Sequence, residues 1–315
     1  MEIRNLGRSG LRVSVVGLGC NNFGWRIELE ASRKVVNKAL DLGITLLDTA
    51  DMYGDGQSEE MLGQILGPRR KDVVLATKFS APFTGMTGGP FGSRNYILGA
   101  VEASLRRLKT DWIDLYQFHW PDPRTPMEES LRALDDLVHQ GKVRYIGISN
   151  HPAWKVADAM WLSRKDRITS FVSCQDEYSL LVRGVERELI PTMAHFGLGL
   201  LPYFPLASGL LTGKYRKGAD LPAESRFASK SMGGLGGRYM TEANWPVVDK
   251  LQAFCDARGR SLLELAFSWL VANPVVGSVI AGATKPEQVE QNVKAVGWVL
   301  STEELAEVDK ITGKA

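Results

Sequence analysis

The chain has 315 residues, 44% of them hydrophobic and 23% charged, which suits either two ordinary domains or one large α/β barrel with a sizeable core. Lysine and arginine number 38 against 36 aspartates and glutamates, and the formal net charge of +2 leaves no global field for nucleic acid or an anionic membrane. Three scattered cysteines, Cys20, Cys174 and Cys255, make neither a disulfide framework nor a zinc ligand set, so no metal is expected and a reducing cytoplasm is the natural setting.

The N-terminal MEIRNLGRSGLRVSVVGLG lacks the apolar core of a signal peptide. No later segment approaches about 18 consecutive apolar residues, so a soluble, cytoplasmic protein is expected. Residues 1–13 read as a hairpin around Arg8, Ser9 and Gly10, suited to plug one end of a barrel. Short β-branched or apolar runs then predict eight strands near 13–18, 45–47, 73–77, 113–118, 144–148, 170–174, 199–201 and 278–281. Helical periodicity fills the gaps at 29–41, 58–66, 96–108, 127–140, 153–162, 186–194, 245–257, 262–272 and 286–296. A last helix over 301–311 opens on the capping box Ser301, Thr302, Glu303, Glu304.

Regular β-then-α order with nearly continuous apolar strands argues a parallel sheet covered by helices. Eight units with no linker-like segment predict a single (β/α)8 TIM barrel over residues 1–315, with an N-terminal hairpin and an added C-terminal helix. A doubly wound dinucleotide fold needs G-x-G-x-x-G after the first strand, and GLGCNNFG fails that spacing. Two connections, 80–92 and 206–237, exceed the usual loop length and are candidate binding loops or lids.

Four polar residues fall near strand ends: Asp48 after strand two, Tyr53 in the loop beyond it, Lys78 in VVLATKF and His119 in IDLYQFHW. The C-terminal ends of barrel strands face one mouth, so these side chains can converge. Singly, an Asp at a strand end is an ordinary cap, a loop Tyr an amphipathic filler and a terminal Lys a snorkelling cation. Jointly they make a proton donor with its support. A phenol titrates near ~10, and an ammonium at about 4 Å in an effective dielectric near 20 favours the phenolate by about 4 kcal/mol at most. Lys78 is expected to lower Tyr53 in this way, with Asp48 holding the ammonium and His119 orienting a substrate carbonyl.

The motifs GITLLDTADMYGDGQSEEMLG, VVLATKF, DWIDLYQFHWPDP, GKVRYIGISN, CQDEYSLL, PLASGLLTGKY and IAGATKPEQVEQN resemble the aldo-keto reductase family over nearly the whole chain. That resemblance implies a barrel that transfers hydride from a reduced nicotinamide to an aldehyde or ketone without a metal, with Tyr53 as general acid beside Asp48, Lys78 and His119. It also implies that Ser149, Asn150 and Gln175 hold the nicotinamide carboxamide, that Tyr203 stacks on its ring, and that Leu206, Ser208, Leu210 and Lys214 run over the pyrophosphate. Gly282, Thr284, Lys285, Gln288 and Asn292 match the adenosine end, where NADPH is expected over NADH. Thr284, Lys285, Pro286 and Glu287 also read as a local capping box.

Trp120 stands where the resembling branch has His or Arg, which favours apolar or aromatic carbonyl compounds, and Phe23, Trp25 and Phe83 are expected to line the same mouth. A rival reading, a nucleotide-sensing regulatory subunit with slow turnover, fits the GKY and Q-x-x-x-N motifs of channel-associated members. No heptad or exposed apolar stripe is evident, so a monomer is expected.

Overall fold

A computed structural model of the chain describes residues 1–80, 90–218, 220–221, 227 and 237–313. The expected hairpin forms from β1 (Ile3–Asn5) and β2 (Arg12–Ser14), antiparallel with Ile3 opposite Ser14, and the Leu6 N–H donates to Leu11 O at 2.8 Å. Eight parallel strands follow: β3 (Val16–Gly19), β4 (Leu46–Asp48), β5 (Val74–Phe79), β6 (Ile113–Phe118), β7 (Val143–Ser149), β8 (Ser173–Gln175), β9 (Gly199–Leu200) and β10 (Val279–Gly282). They run in chain order, with β10 returning beside β3. The ring closes at its weakest seam through a Leu200–Val276 bridge and an Ile280 N–H donating to Pro202 O at 3.0 Å. The (β/α)8 barrel read from the sequence is the fold observed.

Two expected boundaries move for physical reasons. The single strand expected over 13–18 is divided at Val15, where the chain leaves the hairpin and enters the barrel. Ser14 pins that corner, its hydroxyl donating to Val16 O at 2.7 Å and accepting the Thr45 N–H at 2.9 Å. The helix expected from residue 186 begins only at Leu189, after a short 3-10 turn over Gly184–Glu186. Glu186 is held outside it by the Arg183 guanidinium at 2.8 Å and the Tyr178 hydroxyl at 2.7 Å. The last helix, Thr302–Ile311, carries the capping box read from Ser301 and Glu304. Among the described residues no helix is long and apolar enough to cross a membrane.

Strand alternation divides the barrel wall into two faces. Outward residues such as Leu47, Leu75, Tyr116 and Ile146 join the large core shared with the helices. Inward residues Leu46, Ala76, Leu115, Leu201 and Ile280 form a separate small cluster, completed from the hairpin by Leu6, Leu11 and Val13. The barrel therefore has a dry apolar floor. Two residues farther along three of those strands, the inward positions become Asp48, Lys78 and Gln117, all buried. A polar layer thus rests directly on the plug.

The hairpin reaches the barrel through Gly7, whose φ of +59° and close packing leave no room for a side chain: a Cβ there would lie 2.5 Å from Gly197 O and 2.6 Å from the Gly199 nitrogen. Gly7→Ala should cost upwards of about 2 kcal/mol, from left-handed strain and overpacking together. Gly141→Ala, at another positive φ with open space around it, should cost about 1 kcal/mol. Denaturant unfolding of the two variants checks the difference, and equal costs would mean that the plug is not held by this approach.

Candidate active site

The polar layer is built around one ammonium. Lys78 is fully buried, and its Nζ donates to Asp48 Oδ1 at 2.6 Å, to Thr49 O at 2.8 Å and to Tyr53 Oη at 3.2 Å, which uses all three of its hydrogens. Tyr53 arrives from the turn after β4, which is fastened by the Asp51 N–H on Lys78 O at 3.2 Å and the Ser58 N–H on Tyr53 O at 3.2 Å. Glycines at positive φ, Gly54 and Gly56, let that turn fold back into the Gln57–Leu66 helix. His119 follows β6, its N–H on Phe79 O at 2.9 Å, and its ring meets Tyr53 edge to face at 6.1 Å. The loop motif that opens on Asp48 is therefore a device for bringing a phenol back over the lysine two strand positions away.

Burial works to lower the Lys78 pKa, but Asp48 and Tyr53 outweigh it and hold the group above its ordinary value, so it remains an ammonium. For Tyr53 the balance differs from the sequence expectation. Burial raises the phenol, Lys78 opposes it, and the net position is above the ordinary value. The lysine acts in the expected direction but is the smaller effect, so the phenol holds its proton at neutral pH. Burial, reinforced by Lys78, pushes His119 well below the usual imidazole range, leaving a neutral ring whose Nδ1 has no partner among the described residues.

These groups open onto a cavity of about 630 Å³. Asp48, Tyr53, His119 and the half-exposed Trp120 line it, together with Ser149, Asn150, Gln175 and Tyr203. Leu206, Ser208, Lys214, Gly282, Thr284, Gln288 and Asn292 also line it. Tyr203 donates its hydroxyl to Asn150 Oδ1 at 2.7 Å, and Asn150 in turn donates to His119 O and to Ser149 Oγ, each at 3.0 Å. Three loops are thereby tied together at the cavity.

Some expected residues are not on the described lining. Phe23 is wholly buried in the large core and Leu210 likewise, so neither side chain lines the cavity. Trp25 is exposed, its indole N–H turned to Asn21 O, and it too lies off the lining. Lys285 is exposed at the N-cap of the Pro286–Lys294 helix rather than on the cavity wall. Phe83 falls outside the described residues, as do parts of both long connections. The capping box expected from Thr284 and Glu287 does not form; Gln288 performs the reciprocal bond, its Oε1 accepting the Thr284 N–H at 2.7 Å.

Arg26 and Gln117 were not anticipated. Arg26 lines the cavity with only a long bond to Asn22 Oδ1 at 3.4 Å, and among the described residues no carboxylate pairs with it. On the same wall Ser208 Oγ is buried without a partner among the described residues. A guanidinium with no carboxylate and a hydroxyl with no partner among the described residues, on one cavity, fit an anionic dinucleotide. Gln117 lies beneath, donating from Nε2 to Asp48 Oδ2 at 3.1 Å. Its signal was available in LYQFH, where inward positions pass from Leu115 to Gln117 to His119. Among the described residues no cluster of His, Cys, Asp or Glu could hold a metal ion.

The model of the aldo/keto reductase family matches residues 15–312. A "probable voltage-gated potassium channel subunit beta" of Oryza sativa subsp. japonica is 38% identical over 317 residues, covering 99% of this chain and 95% of that one. An "L-glyceraldehyde 3-phosphate reductase" of Escherichia coli (strain K12) is 37% identical over 321 residues, covering 98% and 92%. An "uncharacterized oxidoreductase" of Bacillus subtilis (strain 168) is 37% identical, covering 99% and 96%.

Beside Gln175, Asp176 is buried and its carboxyl is pushed up to about 8 by burial, with a backbone bond from Asn150 opposing. An unfolded aspartate titrates near ~3.9, so between about pH 4 and 8 the folded chain keeps a proton that the unfolded chain releases, and stability falls as pH rises through that window. Asp176→Asn should remove this loss, a gain over the native protein of about 1.5 kcal/mol at pH 5 that grows to about 5 kcal/mol at pH 8. Unfolding free energies of both proteins across that range check it; parallel curves would mean that Asp176 is ionised throughout.

Proposed function

We propose that this chain, which belongs to the aldo/keto reductase family, is an oxidoreductase that uses NADPH to reduce an aldehyde or ketone to the alcohol, with Tyr53 giving the proton. The observation that carries this reading is the Tyr53 hydroxyl, 3.2 Å from a buried ammonium that is itself 2.6 Å from Asp48, on a cavity of about 630 Å³. A bound reduced nicotinamide supplies the hydride to the carbonyl carbon. Tyr53 donates its proton to the carbonyl oxygen as negative charge develops there, and Lys78 stabilises the phenolate left behind. Asp48 keeps the ammonium charged and in place. His119, neutral, orients the carbonyl by a hydrogen bond without adding a competing charge.

Ser149, Asn150 and Gln175 are read as the carboxamide site and Tyr203 as the ring's neighbour. Arg26, Ser208 and Lys214 serve the pyrophosphate, and Lys285 at a helix N-terminus serves the adenosine 2′-phosphate, which favours NADPH over NADH. Around Tyr53 the described walls are Met52, Trp120 and Phe204, which suit an apolar or aromatic carbonyl compound. Arg238 also lines the cavity but is paired with Glu177. Residues 1–315 are read as one reductase domain.

The channel-subunit names of two relatives, at 38% and 36% identity, favour a second reading: a nucleotide-sensing subunit that binds NADPH at this site and turns over slowly. Turnover separates the two.

With an aromatic aldehyde and NADPH, Tyr53→Phe should lose about 10²- to 10⁴-fold in kcat while cofactor affinity stays within about twofold. Lost affinity would place Tyr53 in cofactor binding, full activity would remove it from the mechanism, and a wild type that binds NADPH without turnover would favour the sensor. Arg26→Ala should weaken NADP+ binding about tenfold, read by fluorescence titration, and an unchanged Kd would take Arg26 out of the phosphate site.

A further inference from the structure

Beneath the cavity, two side-chain amides share one carboxylate oxygen. Asp48 Oδ2 accepts Gln175 Nε2 at 2.8 Å and Gln117 Nε2 at 3.1 Å, while Gln175 Nε2 also reaches Gln117 Oε1 at 3.3 Å. An ionised carboxylate only accepts, so both amides must turn their NH2 groups toward it. Gln175 thereby has one hydrogen on Asp48 and the other on Gln117. Its Oε1, which no described residue bonds, is the end left for the cavity that Gln175 lines.

The neighbours reinforce that polarity. Ser149 Oγ spends its hydrogen on Gln175 O at 2.7 Å, and Asn150 Nδ2 is spent on His119 O and Ser149 Oγ. What this triad has left for the cavity is acceptor capacity, suited to the N–H donors of a carboxamide.

Gln117 is built into this layer. It pairs in register with Lys78 on one side and with Gly147 on the other. A Cβ at Gly147 would lie 3.1 Å from Gln117 Cγ and 2.7 Å from Ser173 Oγ, so a bare backbone at that position makes its room. The side chain is fully buried and does not line the cavity, so it can act only through Asp48 and Gln175.

We propose that Gln117 is a positioning residue with two effects: it locks the Gln175 amide so that only its oxygen meets the nicotinamide carboxamide, and it shares the charge of Asp48 so that Lys78 acts more fully on Tyr53. The inference rests on the reductase reading of this site. Without Gln117, one Gln175 hydrogen loses its partner, and the amide, held then by Asp48 alone, can pivot about that bond and offer the freed N–H to the cavity. Asp48 then also bears on Lys78 with one donor fewer, and less of the ammonium's field reaches the phenol.

The test uses Gln117→Met, close in shape and unable to hydrogen-bond as an amide, and two probes: NADP+ and its 3-acetylpyridine analogue, in which a methyl replaces the carboxamide NH2. By fluorescence titration the wild type should bind NADP+ about tenfold tighter than the analogue, and the variant should narrow that ratio to about twofold. The basic limb of kcat for carbonyl reduction should move to higher pH in the variant, since the phenol is then less opposed to holding its proton. A merely structural role would weaken both cofactors alike and leave the ratio and the limb in place, which would overturn the proposal. If the variant does not fold, the wild type alone decides: equal affinity for the two probes would show that no acceptor reads the NH2. Binding with the expected ratio but no turnover would sink the reductase reading while leaving the Gln175 lock standing, and absence of NADP+ binding would sink both.

Discussion

A lysine and an aspartate buried in contact, Lys78 and Asp48, set the conditions for everything around them. Removing two charges from water costs several kcal/mol per ion, recovered only when the geometry is good and the remaining hydrogens and lone pairs are satisfied. Here they are. The ammonium donates to a carboxylate, a backbone carbonyl and a phenol, and the second carboxylate oxygen takes two amides. Of the ammonium's three partners, Tyr53 is the one that lines the cavity with a proton to give. A site that needs its phenol protonated yet able to give the proton up gains from that opposition, with burial holding the proton and the ammonium stabilising its loss.

The fold makes this layer possible by separating wet from dry. Hairpin residues Leu6, Leu11 and Val13 pack with Leu46, Ala76 and Leu115 in one buried apolar cluster below the ion pair. Parallel register sets Lys78 opposite Gln117, while Asp48 pairs with Ala76 and Gln175 with Ser149, and the side chains bridge those steps. The same alternation that buries leucine on one level buries charge on the next. Barrel chemistry at the C-terminal strand ends follows from geometry that neither the hairpin nor the helices could supply alone.

Much of this was legible because it is periodic. Eight β-then-α units, the hairpin around Arg8 to Gly10 and the Ser301 cap were readable from residue pattern, and so was the convergence of Asp48, Tyr53, Lys78 and His119. Features that depend on tertiary balance were not. Val15 is apolar like its neighbours, and only Ser14's bonds to two segments show that the chain changes sheets there. Phe23 is aromatic in a loop near the mouth, yet it turns inward, because composition does not say which way a loop side chain points. The Tyr53 phenol was expected to fall because a nearby cation can be named from sequence, whereas the larger opposing effect of burial cannot. Gln117 is one polar residue in an apolar strand, and only its place between Leu115 and His119 in the strand's alternation marks it as inward.

The central claim is that the Lys78–Asp48 pair governs proton donation from Tyr53. The most direct measurement is the pH dependence of kcat for carbonyl reduction in the double variant Lys78→Met/Asp48→Asn, which removes both charges and so leaves no orphaned ion in the barrel. The account predicts a kcat at least about 10²-fold lower, with the basic limb moved to higher pH or out of range, because burial then acts on the phenol unopposed. A basic limb unchanged from the wild type, with reduction at comparable rate, would contradict it.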